Sequence, residues 1–78
     1  MKLEIITPDK KLFEGDVKSA VFPGAEGSFG LLNNHAAMIA TLKKGTIELI
    51  EENNIPRNFE VKGGVVEVFK NSVIVLAE

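Results

Sequence analysis

Few side chains in this sequence could take part in catalysis. It contains one histidine, His35, and no cysteine, so thiolate nucleophiles, disulfides and thiolate metal ligands are excluded. A Ser-His-Asp triad would need Ser19, Ser28 or Ser72, but none of them lies in the G-x-S-x-G turn that exposes a nucleophilic serine. A hydrolase that uses Ser28 with His35 is a remote alternative, because it also needs a general base within hydrogen-bond reach of the serine. We therefore expect a protein that is not an enzyme.

Glycines are concentrated between residues 22 and 36, in "FPGAEGSFGLLNNHA". Phosphate-binding loops place backbone N–H groups and a helix N-terminus around an anion. This segment lacks the G-x-G-x-x-G spacing, no Gly-Lys-Ser/Thr follows it, and the next residues do not form a convincing helix pattern. A metal site needs at least three ligands, and His35 has only Glu26 near it in sequence. The sequence thus predicts no cofactor, no metal and no bound nucleotide.

Length and composition limit the classes of protein to consider. The 78 residues are enough for one small domain, and 45% hydrophobic with 26% charged residues is typical of a folded globular chain. A net charge of −2 with no Trp or Tyr argues against a nucleic-acid partner. The N-terminus does not read as a signal peptide, and no apolar run approaches the roughly 20 residues needed to cross a bilayer. We expect a soluble domain of a reducing compartment that does not insert into a bilayer.

Apolar and polar residues alternate with a period of two along most of the chain, which is typical of half-buried strands. Turn residues separate these runs at close spacing. The pattern predicts an all-β sandwich or barrel of seven to ten short strands. The predicted strands cover residues 2–7, 11–22, 36–42, 46–52, 59–62, 65–69 and 73–77.

Three local predictions follow from this pattern. In the strand 11–22, Phe13, Val17 and Val21 are predicted to share one buried face, and Gly15 on that face to mark a bulge or a close packing contact. Residues 53–58 are predicted to be a polar loop. The run 73–77 is apolar on both faces, which predicts a central strand covered on both sides.

The whole chain resembles the N-terminal β-sandwich domain of the epsilon subunit of bacterial F-type ATP synthases. Four blocks in the same order carry the resemblance: "KLEIITPDKKLFEGDV", "PGAEGSFGLLNNHA", "LKKGTIEL" and "GGVVEV…NSVIVLAE". It implies one domain over residues 1–78, a flattened sandwich of two mostly antiparallel sheets with about ten short strands. Members often continue into two regulatory C-terminal helices that inhibit the enzyme and in some cases bind ATP. A chain that ends at Glu78 is expected to do neither.

The resemblance also implies a function. The family member is a non-catalytic rotor subunit of the central stalk, which couples the membrane c-ring to the gamma subunit during proton-driven ATP synthesis. Its partners would be the gamma subunit and the c-ring, and its place the cytoplasmic face of the bacterial plasma membrane, as a peripheral protein. The alternative is a stand-alone small β-sandwich binding module that uses the glycine-rich loop 22–36.

In the family, the middle block lies near the contacts with the ring and with gamma. Ser28 stands where relatives often have Glu, and Asn33-Asn34 stand where they often have Pro-Gly. Asn tolerates the left-handed conformation, so the turn is expected to survive that change. Gly24, Gly27 and Gly30 are expected to serve positive φ angles or close backbone approach. The residues predicted to contact the c-ring or gamma are Glu26, Ser28, Phe29, Leu31, His35 and Met38.

Overall fold

The computed structural model describes residues 1–34 and 36–78, and these residues form eight β-strands. None of them lies in a helix, so the described chain has no helix that could span a membrane. The strands are β1 (Lys2–Ile6), β2 (Lys11–Phe22), β3 (Phe29–Leu32), β4 (Met38–Leu42), β5 (Gly45–Glu51), β6 (Pro56–Val61), β7 (Gly64–Phe69) and β8 (Ser72–Ala77).

The strands form one curled sheet in the order β4-β7-β8-β1-β2-β5-β6, and β3 pairs with β2. Neighbouring strands are antiparallel except β1 and β8, which run parallel. The first half of β2 pairs with β1 and its second half with β3 and β5. We call β4-β7-β8-β1 with the first half of β2 the front sheet, and the remainder the back sheet. The predicted all-β sandwich is confirmed, with eight described strands against the expected ten or so.

The inner faces of the two sheets share one apolar core. None of the described polar or charged side chains is buried. Alternate residues of each strand point toward the other sheet. Full burial of each aliphatic side chain among them contributes about 1.5–3 kcal/mol to stability relative to exposure, and these contributions hold the two sheets together. The side chains with no accessible surface are Leu3, Ile5, Val17, Ile47, Val66 and Val75.

An aromatic cluster closes one side of the core. The rings of Phe13 and Phe59 lie 5.7 Å apart, and the Arg57 guanidinium lies 5.6 Å from both ring centroids. Arg57 also donates to the Glu51 carboxylate at 3.1 Å. Gly15 faces the same cluster, and a Cβ atom there would lie 3.3 Å from the Phe13 ring. Gly15 therefore serves close packing, which is one of its two predicted roles.

The predicted burial of Val21 is wrong. The register between β2 and β5 shifts between Val17 and Ser19, so the alternation of faces changes there. Beyond the shift Ala20 and Phe22 point into the core, at 1% exposure each, and Val21 is 41% exposed. A one-residue irregularity moves every later side chain to the opposite face.

The prediction for residues 73–77 is half correct. β8 does lie centrally, between β7 and β1. Its outer face is not covered by any described residue, and Ile74 and Leu76 remain 39% and 47% exposed. The predicted loop 53–58 is also shorter than expected, because β6 begins at Pro56. A proline is compatible with the first position of an edge strand.

Candidate interface at the glycine-rich segment

The glycine-rich segment 22–36 contains a strand that the sequence did not reveal. β3 returns along the second half of β2 and pairs Phe22 with Phe29, whose rings stack at 5.5 Å. A tight turn joins the two strands, in which the Gly27 N–H donates to the Gly24 carbonyl at 3.0 Å. The segment is thus a hairpin whose turn is formed by residues 24–27. We call these four residues the glycine turn.

Two of the three glycines are needed by the backbone. A Cβ at Gly24 would overlap the Gly27 carbonyl oxygen and lie 2.8 Å from the Phe29 ring, and Gly27 has a φ of 128°. Both therefore have the predicted role. Gly30 does not, because its φ is not positive and a Cβ there would lie 3.7 Å from the nearest atom. Glycines at positions 24 and 27 fix the shape of the turn.

The same segment covers part of the outer edge of β4. Gly24 forms an antiparallel bridge with Leu42. The Ala25 N–H donates to the Thr41 carbonyl at 2.8 Å, and the Lys43 N–H donates to the Pro23 carbonyl at 2.9 Å. The front-sheet edge is therefore closed over residues 41–43 by the chain that leads into the glycine turn.

A shallow depression of about 470 Å³ lies between the glycine turn and β4. Residues 24–29 line one side, and residues 39–41 the other. No group of three His, Cys, Asp or Glu side chains that could hold a metal ion occurs among the described residues. The depression is an open surface that suits contact with another protein chain better than enclosure of a small ligand.

The turn after β3 is held by contacts that the sequence did not predict. Asn34 has a φ of 64°, which confirms that Asn adopts the left-handed conformation there. Its N–H donates to the Asn71 side-chain oxygen at 2.9 Å. The Asn33 side-chain oxygen accepts from the Met1 ammonium group at 2.6 Å. Asn33 and Asn34 thus attach the hairpin to residue 1 and to the β7–β8 turn.

The predicted contact residues fall into three environments. Glu26 and Ser28 are exposed, at and next to the glycine turn, and Phe29 and Met38 are partly buried against the core. Leu31 is 1% exposed. Its side chain supports the hairpin from beneath and is not accessible to a partner. His35 lies outside the described residues.

Three exposed apolar side chains lie near this region, and none of them is among the predicted contact residues. Leu32, Ile39 and Phe69 are 66%, 74% and 62% exposed. For Leu32 the signal was present, because "FGLL" alternates once it is read as a strand and Leu31 then takes the inner position. Ile39 and Phe69 become neighbours only through the pairing of β4 with β7.

One family model matches the chain over its whole length. The model describes the "ATP synthase, Delta/Epsilon chain, beta-sandwich domain", and it matches residues 1–78.

Individual relatives carry the same name. The chain is 42% identical over 78 residues to the ATP synthase epsilon chain of a Nitratiruptor species, covering 100% of this chain and 60% of that protein. It is 39% identical over 77 residues to the ATP synthase epsilon chain of Chlorobium limicola, covering 99% of this chain and 88% of that protein. The chain thus spans about three fifths of the first of these relatives.

Two solved structures share the fold. A chain of the Euglena gracilis mitochondrial ATP synthase, in an OSCP/F1/c-ring structure, superimposes with a TM-score of 0.89 at 21% identity, covering 96% of this chain and 48% of that chain. A chain of the Tetrahymena thermophila mitochondrial ATP synthase central stalk and c-ring gives 0.80 at 24% identity, covering 99% and 62%.

Proposed function

Because the chain belongs to the family of ATP synthase delta/epsilon chain β-sandwich domains, we propose that it is a non-catalytic part of the rotor of an F-type ATP synthase. In this role it connects the membrane c-ring to the gamma subunit in the central stalk, and rotation of the ring is passed on during proton-driven ATP synthesis. The observation that carries the proposal is the family match over all 78 residues, together with epsilon chains as relatives. The proposed location is the cytoplasmic face of a bacterial plasma membrane.

The architecture supports a mechanical role. A protein interior packed to the density of an organic crystal resists deformation. Here a single core joins both sheets, and β2 takes part in both of them over 12 residues. A torque applied at the glycine turn therefore reaches the opposite end of the sandwich through a continuous strand and its hydrogen-bonded neighbours.

We place the partner contact at the glycine turn and the neighbouring edge of β4. Glu26 and Ser28 are exposed there, and Phe29 and Met38 offer partly buried apolar surface. Ile39 adds an exposed apolar side chain that lines the same depression. We keep His35 among the proposed contact residues because it directly follows Asn34 in the sequence. Apolar side chains between charged and hydroxyl groups are the usual composition of a protein interface.

The test is binding of the gamma subunit to the chain. A stable complex buries at least about 1,000 Å² in total, so affinity in the micromolar range or tighter is expected by pull-down and calorimetry. Absence of binding at micromolar concentrations would contradict the proposal.

A charge reversal locates the contact. Glu26→Lys changes the charge at the glycine turn and should weaken assembly with gamma or the ring. Asp9→Lys makes the same change in the exposed turn before β2, at the far end of that strand, and serves as the matched control. Equal assembly of both variants would remove the glycine turn from the interface.

The stand-alone binding module is the weaker candidate. It needs a well-formed pocket at the glycine-rich segment, where the chain has an open depression. Family membership over the whole chain favours the rotor subunit.

A further inference from the structure

The backbone nitrogen of Met1 donates more hydrogen bonds than a strand position provides. Met1 and Val17 face each other one residue before β1 and exchange both of their backbone bonds. The Met1 nitrogen donates to the Val17 carbonyl at 3.0 Å, and the Val17 N–H donates to the Met1 carbonyl at 2.8 Å. This exchange is the hydrogen-bonded pair of an antiparallel ladder, and it needs one hydrogen on each nitrogen.

A second acceptor lies at the same nitrogen. The Asn33 side-chain oxygen accepts from the Met1 ammonium group at 2.6 Å, a short bond of the kind that a charged donor makes. A peptide N–H carries one hydrogen, which the ladder bond to Val17 already uses. A free ammonium group has three hydrogens and can donate to both acceptors. The bond to Asn33 therefore depends on an amino group that carries no other substituent.

This bond holds the end of the glycine-rich hairpin. β3 is only four residues long, and β2 is the one strand with which it pairs among the described residues. Asn33 directly follows it and bonds to Met1, and Asn34 bonds to the Asn71 side chain. The exit of β3 is thus fixed by two side-chain hydrogen bonds rather than by a second ladder.

The position of the Met1 nitrogen is itself fixed. Met1 is 6% exposed and belongs to the apolar core, and the next N–H, that of Lys2, donates to the Asn71 carbonyl at 3.1 Å. The nitrogen cannot move outward without withdrawing the Met1 side chain from the core. A group attached to this nitrogen would therefore compete with Asn33 for the same space.

We propose that the amino group of Met1 is a modification site, where an acyl group determines whether the end of the glycine-rich hairpin is held. The acyl group is the formyl group with which bacteria begin their chains. In the formylated chain the nitrogen is an uncharged amide whose one hydrogen goes to Val17, so Asn33 receives no donor. Hydrolysis adds water across the formamide C–N bond, releases formate, and leaves the amine with the additional proton. The ammonium group then bonds to Asn33.

Variants at residue 33 isolate this bond. Free and formylated chains are compared by urea unfolding, each with Asn, Ala or Asp at position 33. In the parent, formylation should lower the folding equilibrium constant about three- to tenfold, because a hydrogen bond from a charged donor is lost. In Asn33→Ala it should change the constant by less than about twofold, since the acceptor is already absent. In Asn33→Asp the effect should exceed that in the parent, because a carboxylate pairs with the ammonium charge.

The order of the three effects decides the outcome. Equal effects of formylation in the parent and in Asn33→Ala would overturn the proposal, since the loss would then arise at the Met1 backbone alone. An effect in Asn33→Asp smaller than in the parent would overturn it as well, because the charged donor would then not face residue 33.

Amide hydrogen exchange shows where formylation acts. The Asn34 N–H, which donates to the Asn71 side chain, should exchange at least about threefold faster in the formylated chain. The Thr7 N–H bonds to the Lys10 carbonyl in the turn before β2 and is the internal control. An unchanged rate at Asn34, or an equal acceleration at Thr7, would overturn control of the hairpin.

Mass spectrometry of the protein from its own cells tests whether this amino group exists there. We expect a free amine on Met1, and a formylated Met1 when the deformylating hydrolase is inhibited. Residues before Met1, or loss of Met1, in that protein would overturn the proposal. None of these measurements uses gamma or the ring, so failure of the rotor proposal leaves this inference standing.

Discussion

At the scale of single residues, Gly24 and Gly30 lie in the same hairpin but differ in whether their surroundings leave room for a side chain. Gly24 is buried, and a methyl group there would meet the Gly27 carbonyl oxygen and the Phe29 ring. Gly30 is exposed and has ordinary space around its Cβ position. The shape of the glycine turn therefore depends on one of these residues and not on the other.

This contrast gives a matched pair of variants. Gly24→Ala should lower the free energy of unfolding by about 1–3 kcal/mol, because the overlap forces the backbone or the Phe29 ring to move. Gly30→Ala should leave it unchanged or raise it by up to about 1 kcal/mol, since alanine has less freedom in the unfolded chain. Urea unfolding of the two variants beside the parent measures both values. A Gly24→Ala variant as stable as Gly30→Ala would show that the turn relaxes without cost.

At the scale of elements, the β7–β8 turn contains backbone strain. Its two central residues, Lys70 and Asn71, have φ angles of 47° and 63°. Positive φ at both centres is the signature of a type I′ turn, which suits the twist of a hairpin but favours Asn and Gly over Lys. The Asn71 side chain is also occupied, since its oxygen accepts the Asn34 N–H.

Relief of this strain should stabilise the domain. Lys70→Gly is expected to raise the free energy of unfolding by up to about 1 kcal/mol, which corresponds to a shift in the melting temperature of about 4–8 °C in a domain of this size. Lys70→Ala is the control, because it removes the same side chain without easing the positive φ. Calorimetric scans compare the two, and equal melting temperatures would mean that the turn is unstrained.

An ion cluster lies on the outer face of β1 and β2, across the hairpin that joins them. The Lys11 ammonium lies 2.8 Å from the Glu14 carboxylate and 3.2 Å from that of Glu4, and Lys2 lies 3.6 Å from Glu14. The hydrogen bond from Lys11 lowers the pKa of Glu14 below its ordinary value of 4.5. The hydrogen bond to Glu14, followed by that to Glu4, raises the pKa of Lys11 above 10.5.

The direction of each shift fixes its effect on stability. The pKa of Glu14 is lower in the folded chain than in the unfolded chain. Ionised Glu14 therefore stabilises the fold above the unfolded pKa, and this stabilisation is lost as the pH falls through the folded pKa. The pKa of Lys11 is higher in the folded chain. Charged Lys11 therefore stabilises the fold below the unfolded pKa, and this stabilisation is lost as the pH rises through the folded pKa. Glu14→Gln should therefore be less stable than the parent at pH 7, and closer to it in stability at about pH 2.

The effect is expected to be small, because the cluster is exposed to solvent and to salt. Urea midpoints at the two pH values, at low and at high ionic strength, measure it. A stability difference that persists in acid or in strong salt would point to packing rather than charge.

The sequence predicted the elements better than their relation to one another. Period-two alternation along most runs, together with the turn residues that bound them, identified seven of the eight described strands. It missed β3, since four residues between Ser28 and Asn33, with a glycine among them, do not establish a period. It also misplaced Val21, because nothing in the residue types of Val17 to Ser19 signals the register shift.

The candidate site shows the same division. The turn residues Gly24 and Gly27 were predictable from their conformational freedom, and the exposed Glu26 and Ser28 from their positions in and next to that turn. The exposed position of Ile39 beside Phe69 was not predictable, since it depends on the pairing of β4 with β7. Such a site is a property of pairing between distant parts of the chain.

At the scale of the whole molecule, the two terminal strands lie side by side and run in the same direction. β1 and β8 pair in register from Lys2 with Ser72 to Ile6 with Leu76. Residues 1 and 78 therefore emerge at opposite ends of one ladder. Both strands are central, with β7 on one side and β2 on the other.

This arrangement makes the domain a mechanical clamp. Pulling residues 1 and 78 apart slides β1 along β8, so all hydrogen bonds of the ladder resist in shear at the same time. Pulling residues 1 and 71 apart starts from one end, where the Lys2 N–H meets the Asn71 carbonyl, and opens the bonds one after another. Single-molecule stretching should give a clearly higher rupture force in the first geometry than in the second. The hardest direction in which to break this domain is the one along its own parallel strands.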